Sequence, residues 1–247
     1  MAARAKKSRR STASGGKSVT GGSFAALRRW TFRLLGGAVV LTFMFVSLFA
    51  MVDPPTTPYM YSESRRLDGV QREWVPIEQI APVMARAAVA AEDADFCEHW
   101  GLDLSAIRAA MKSGGQRGGS TISQQVVKNV YLWHGRSYLR KAMEAVLTPV
   151  MEAVWSKQRI LEVYLNVAEF DEGVFGVEAA SRHYFGISAA ELSPMQAGLL
   201  AALLPSPKTR SASQPSSYMR QRAQDIVNGA ATIERDGRSA CFETRAG

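Results

Sequence analysis

Two adjacent carboxylates, Glu92 and Asp93, close an alanine-rich apolar run and open the segment E-D-A-D-F-C-E-H-W-G at residues 92–101. The run before them, from Pro82 to Ala91, reads as a helix that starts at a proline, because a missing N–H costs nothing in the first turn. Glu92 and Asp93 then fall in its last turn. There the negative end of the helix dipole and the like charge of a neighbour both disfavour ionisation, so a carboxyl is predisposed to hold or take a proton. The other reading of these ten residues is a solvated helix end followed by a turn.

A second group lies downstream, where the glycine-rich stretch Gly114 to Gly119 runs into S-T-I-S-Q-Q-V-V-K-N. Ser120 or Thr121 can cap the following helix, with Gln124 spaced for a capping box from Thr121. Gln124 and Lys128 stand four apart and share a face. Glycines opening a helix whose first turn carries hydroxyls and whose second carries a lysine form an anion site by ordinary physics. The Gly-Lys-Ser/Thr order of a nucleotide-binding phosphate loop is absent. Arg136, Arg140 and Lys141 follow, then Met143, Val146, Leu147, Val150, Met151 and Val154 at helical spacing, which reads as a core-facing stripe. Arg140 and Glu144 lie one turn apart at its edge and can pair, half buried. Pro149 should kink this helix near residues 145–149.

These groups need helices to hold them, and the pattern supplies them. Short helices are expected at Leu104–Met111, Ile160–Asn166 and Gly176–Phe185. Ser188 to Glu191 reads as a capping box opening a helix that stops before Pro205, and another helix is expected near Ser217–Val227. No strand pattern of useful length is present, so the expected fold class is all-α.

With 247 residues and 47% hydrophobic content the chain can bury one substantial core. Its net charge of +8 is misleading as a sign of nucleic-acid binding, since residues 1–33 hold nine Lys or Arg and no acid. That segment reads as a disordered basic tail. Leu34 to Val52 then runs nineteen residues without a charge, about the ~20 that a helix needs to cross a bilayer core. Arg28, Arg29 and Arg33 precede it, so the positive-inside rule keeps the tail in the cytoplasm and exports the rest. The run exceeds a typical signal-peptide core and no clear small-x-small site closes it, which favours an uncleaved anchor. Three prolines between Pro54 and Pro58 make a stiff spacer. Cys97 and Cys241 lack metal-ligand spacing, and the sequence leaves open whether they pair.

Taken in order, E-D-A-D-F-C-E-H-W-G, G-G-S-T-I-S-Q-Q-V-V-K-N, R-K-A-M-E and S-K-Q-R-I-L-E-V-Y-L-N closely resemble the signatures of peptidoglycan glycosyltransferases of family 51. The R-K-x-x-E block, followed by A-E-F and G-V-F-G-V-E-A-A, is similar to the monofunctional biosynthetic branch. Each motif alone is weak, and the four at these spacings are specific. The resemblance implies a lysozyme-like helical glycosyltransferase domain behind one N-terminal transmembrane helix. The expected layout is a cytoplasmic tail at 1–33, the span at 34–52, a linker at 53–74, the catalytic domain at 75–207 and a helical extension at 208–247.

It further implies polymerisation of lipid II into β-1,4 glycan strands by inversion, with release of undecaprenyl diphosphate and without transpeptidation. Glu92 matches the general base and Glu144 the second family glutamate, which assists the leaving group or orients cations. Lys128 and Arg136 match positions that hold the pyrophosphate. Asp93, Phe96, His99, Ser120, Thr121, Gln124, Gln125, Asn129, Arg140 and Tyr164 match positions of the substrate cleft. His134 and His183 lie outside these motifs and read as surface or core. No metal site or cofactor is required, although Mg or Mn at the diphosphate is compatible with the chemistry. The implied partners are lipid II, the growing lipid-linked glycan, the membrane, and penicillin-binding or cell-division proteins, with no nucleic acid. The implied location is the inner membrane of a Gram-negative cell, with the catalytic domain in the periplasm. The resemblance also implies inhibition by moenomycin. A lytic transglycosylase or muramidase on the same fold, and a non-catalytic cell-wall scaffold, are the rival readings; neither needs the ordered cations.

Overall fold

The computed structural model describes residues 20–105, 107–108, 119–135 and 137–243. The chain divides into two compact units, Met1–Met44 and Phe45–Gly247. Helix α1, Thr20–Leu48, contains the stretch Leu27–Leu48, which is long and apolar enough to cross a membrane. Phe32, Leu35, Val39 and Val40 are exposed on it. The helix starts earlier and ends earlier than the sequence reading, since residues 49–52 form turns.

In the second unit, the proline-rich spacer is shorter than expected because a helix, α2 (Pro58–Leu67), starts at its last proline. Thr57 caps it, its hydroxyl accepting the Met60 N–H at 3.1 Å, which satisfies a donor that an isolated proline-led turn would leave open. Helices α3 (Pro82–Glu92), α8 (Pro194–Leu203) and α9 (Ser217–Arg235) pack on one another. Helix α4 (Ile122–Tyr131) packs on α5 (Tyr138–Glu152) and α6 (Lys157–Val167). The centre of the core is α6, with Ile160, Leu161, Val163, Tyr164 and Leu165 all at 0% exposure. Helix α7 (Val177–Phe185) starts just after Gly176, as the pattern suggested.

The fold is mainly helical as expected, and it departs from the sequence reading in detail. A small sheet is present: β1 (Gln71–Arg72) pairs in parallel with β3 (Val174–Phe175), which pairs antiparallel with β2 (Glu169–Asp171). Strands of two or three residues carry no readable alternation. The Ser188 box opens only a 3-10 turn, Ala189–Glu191; α8 starts at Pro194 behind a second box made by Ser193 and Gln196. Helix α9 runs two turns beyond Val227. Pro149 lies inside α5, which runs to Glu152.

The apolar stripe of α5 faces the core in part: Met151 is buried and Leu147, Val150 and Val154 pack against the core. Met143 and Val146 are exposed instead, while Glu144, held by Arg140 and Lys141, and Thr148 are buried. The Leu104–Met111 helix and the glycine loop fall largely outside the described residues.

Candidate active site

Glu92 is the last residue of α3, and Asp93 leaves the helix with extended φ of −160°. A helix C-terminus offers a carboxylate no N–H groups, so its partners must come from elsewhere. Gln125 of α4 supplies one, its Nε2 donating to Glu92 Oε2 at 2.8 Å. Burial raises the Glu92 pKa above the ordinary glutamate value; the Gln125 bond and the charges of Arg222 and Lys128 oppose this, and Asp93 adds to it. Arg222, on α9, donates to the Ala91 carbonyl at 3.2 Å and so braces the final turn of α3.

The start of α4 is fixed by the capping box that the sequence suggested. Thr121 Oγ1 accepts the Gln124 N–H at 3.2 Å, and Gln124 Oε1 accepts the Thr121 N–H at 3.1 Å. Thr121 also donates to the Gly101 carbonyl at 2.6 Å. Gly101 has φ of +74°, and a Cβ there would collide with Thr148 and lie 2.9 Å from Glu152 Cγ, so only glycine fits this crossing. Asp93 is buried between the two motifs: Oδ2 accepts the Ile122 N–H at 3.0 Å and Oδ1 pairs with His99 Nε2 at 2.8 Å. Asp93 and His99 therefore tie the loop to α4.

One helical turn beyond Gln125, Lys128 is within electrostatic reach of a charged group. Glu144 is 2% exposed and bridges Arg140, at 2.7 Å, and Lys141. Lys141 also donates to Ser120 Oγ at 3.1 Å. Burial lowers the pKa of Lys128; Glu144 and Glu92 oppose the shift, and Arg140 and Lys141 add to it. Lys128 thus feels the charges of both Glu92 and the Arg140–Glu144–Lys141 cluster. Arg136 falls outside the described residues.

Lys128, Gln125, Asn129 and Tyr164 line a cavity of about 370 Å³ whose far wall is Tyr59, His134 and Lys208. The Tyr164 hydroxyl is fully buried and has no hydrogen-bond partner; burial first, then Glu92 and Asp93, keeps it protonated. His134 stacks on Tyr59 with ring centroids 3.5 Å apart. Burial, Lys128, Arg140 and Lys208 push His134 down to about 4, leaving it neutral near pH 7. His134 therefore belongs to the cavity, contrary to the surface-or-core reading, while His183 pairs with Asp171 away from it. Phe96 is not a cleft residue here. It has 0% exposure and packs under Lys157, whose Nζ lies 4.4 Å from its ring centroid.

Sequence reasoning missed Lys157, Glu152 and Arg222. Lys157 donates to the His99 carbonyl at 2.7 Å and to Glu152 at 2.8 Å, and Glu152 also accepts from Ser123. The S-K-Q-R motif could have flagged Lys157; Arg222 meets Glu92 only through packing of α9 on α3. A larger groove of about 550 Å³ lies elsewhere, around Arg86, whose charge is already met by Glu234 and Glu243.

A family model for transglycosylases matches residues 61–231, the stretch that carries Glu92, Asp93, Gln125, Lys128, Glu144 and Arg222. The chain belongs to the transglycosylase family. A biosynthetic peptidoglycan transglycosylase of Jannaschia sp. (strain CCS1) is 58% identical over 217 residues, covering 88% of this chain and 91% of that one. One from Pseudomonas fluorescens (strain Pf0-1) is 50% identical, over 80% of this chain and 86% of its own. One from Rhodospirillum centenum is 45% identical, over 87% and 95%. The transglycosylase domain begins inside α2 and takes in most of α9.

Proposed function

We propose that this transglycosylase polymerises lipid II into β-1,4-linked peptidoglycan strands. The observation that carries the reading is the link through one face of α4: Gln125 holds Glu92, and Lys128, three residues on, stands about 4.5 Å further along the axis beside the Arg140–Glu144–Lys141 cluster. Helix α4 thus joins the candidate base to the candidate cations.

The growing chain is the donor, joined through its anomeric carbon to a diphosphate, and lipid II is the acceptor. Glu92 takes the proton of the acceptor 4-hydroxyl as that oxygen attacks the anomeric carbon. The carbon–diphosphate bond breaks on the opposite face, so an α-linked donor yields a β-glycoside. The raised pKa of Glu92 makes it a stronger base than a solvated carboxylate, and losing a positioned base costs ~10² to 10⁴ in rate. Lys128, Arg140 and Lys141 neutralise the departing diphosphate in a partly dry site, where fixed charges act more strongly than in water. Glu144 holds two of these cations in place. A divalent ion would be carried by the diphosphate, since no three His, Cys, Asp or Glu side chains gather among the described residues to hold one.

The lipid tail of such a substrate places the enzyme at a membrane. The Leu27–Leu48 helix and the exposed Leu139, Met143 and Val146 of α5 suit that setting. The basic residues before the span favour an N-terminus in the cytoplasm of a bacterial cell and a catalytic unit outside it. The Cys97–Cys241 disulfide agrees with an oxidising compartment. The test is to incubate detergent-solubilised full-length protein with labelled lipid II. Polymer that lysozyme digests, formed with release of undecaprenyl diphosphate, is expected. Shortening of preformed glycan with no polymer would transfer the site to the lytic chemistry.

A further inference from the structure

The loop that carries the catalytic motif has little structure of its own. Between Asp93 and Gly101 the backbone–backbone hydrogen bonds are single turns, such as Phe96 N–H to Asp93 O at 3.0 Å and Glu98 N–H to Asp95 O at 2.8 Å. A carboxylate on the last turn of a helix that runs into such a loop is exposed to fraying. The loop is gripped from other parts of the chain, and one set of contacts comes from beyond residue 231, where the family match ends.

Cys241 is bonded to Cys97, with Cα atoms 5.7 Å apart across 144 residues of sequence. Arg238 donates to the Ala94 carbonyl at 3.1 Å and lies 3.7 Å from Asp95. Phe242 is 2% exposed, its ring 6.2 Å from that of Phe96. Glu234 and Glu243 close on Arg86 of α3 at 3.0 and 3.1 Å, two turns before Glu92. Residues 94, 95, 96 and 97 are thus each held by the segment that follows α9.

We propose that residues 234–243, closed on the loop by the Cys97–Cys241 bond, form a strap that positions Glu92 for the transfer, with Arg238, Cys241 and Phe242 as positioning residues. The strap acts from one side, through Phe96 and Cys97. Asp93, His99 and Lys157 hold the loop from the other. The carboxylate between them is fixed by both, and loss of either side lets the last turn of α3 loosen and water reach Glu92. The inference rests on the proposed role of Glu92.

The test uses the full-length protein in detergent, oxidised or treated with a water-soluble phosphine. The phosphine and water supply two electrons and two protons, leaving two thiols and the phosphine oxide. Oxidised glutathione takes the electrons back on re-oxidation. Hydrogen exchange at residues 93–99 should quicken at least roughly 10-fold on reduction, with α6 amides unchanged. The turnover number for lipid II should fall roughly 10-fold or more while KM stays within about twofold, because misplacing a base costs rate rather than binding.

The acidic limb of the pH–rate profile should also move toward the ordinary carboxylate range as Glu92 hydrates. The groups facing Glu92 are Lys128 on α4, Arg222 on α9, Tyr164 on α6 and Asp93 in the loop, and the strap contributes none of them. The C97S/C241S protein should match the reduced enzyme and ignore the phosphine. Phe242→Ala should show the same kinetic split with the bond intact, and Phe242→Tyr should restore the rate. Loop amides that exchange alike with and without the bond would overturn the proposal. So would a rate loss no larger than the unfolded fraction, or a double-serine protein that still responds to reductant. A loop that responds in an oxidised enzyme that makes no polymer would support the strap while sinking the polymerase reading.

Discussion

Glu92 is the residue at which stability and activity oppose each other. Its carboxyl is lifted above the ordinary value by burial. A folded pKa above the unfolded one means a contribution to stability that is present at low pH and lost as pH rises through the folded value. Near pH 7 the ionised carboxylate is therefore a cost to the fold. Glu92→Gln should melt at the same temperature as wild type or higher, by calorimetry, while losing activity. Gln125 works in the opposite sense, since its N–H favours the ionised form. Gln125→Ala should move the acidic limb of kcat/KM to higher pH, because Glu92 then holds its proton longer; a limb that stays in place would detach Gln125 from the base.

Among the elements, α6 has the most to lose. Its Asn166 is fully buried, and the side chain pairs with both backbone groups of Val75, each at 2.9 Å, and with the Glu162 carbonyl at 2.9 Å. Asn166→Ala leaves a buried N–H and C=O of Val75 without partners and should cost about 2–3 kcal/mol in chemical denaturation. The helices were legible in the sequence because their signals are local: Pro82, the Thr121–Gln124 box and the proline after α8 each act within one turn. What escaped is what only tertiary contact decides. The small sheet, the bond between Cys97 and Cys241 and the approach of Arg222 to α3 join residues far apart in sequence. Phe96 and Asp93 carry the right motif, yet the fold turns them inward as supports, since a loop without its own hydrogen-bond ladder needs buried anchors. The salt bridge of Glu144 with Arg140 was legible, and it forms as spaced.

For the whole molecule, the disulfide closes a very long loop. On the chain-entropy model, a bond spanning 144 residues removes about 5 kcal/mol of unfolded-state freedom, an upper figure for what reduction would take from stability. The charge distribution makes a separate prediction. With the basic residues concentrated before the apolar helix, a fluorescent reporter at the N-terminus should shine in the cytoplasm, and an export-dependent phosphatase joined after residue 243 should be active. The reverse pattern would place the catalytic unit inside the cell, away from a site of glycan assembly.

The most direct test of the account is the initial rate at which full-length Glu92→Gln protein, shown to be folded by its melting curve, converts lipid II to polymer beside wild type. A rate reduced by ~10² or more with KM little changed is predicted, since the amide keeps the shape and loses only the proton acceptor. A folded Gln variant that polymerises within a few-fold of wild type would show that the base lies elsewhere.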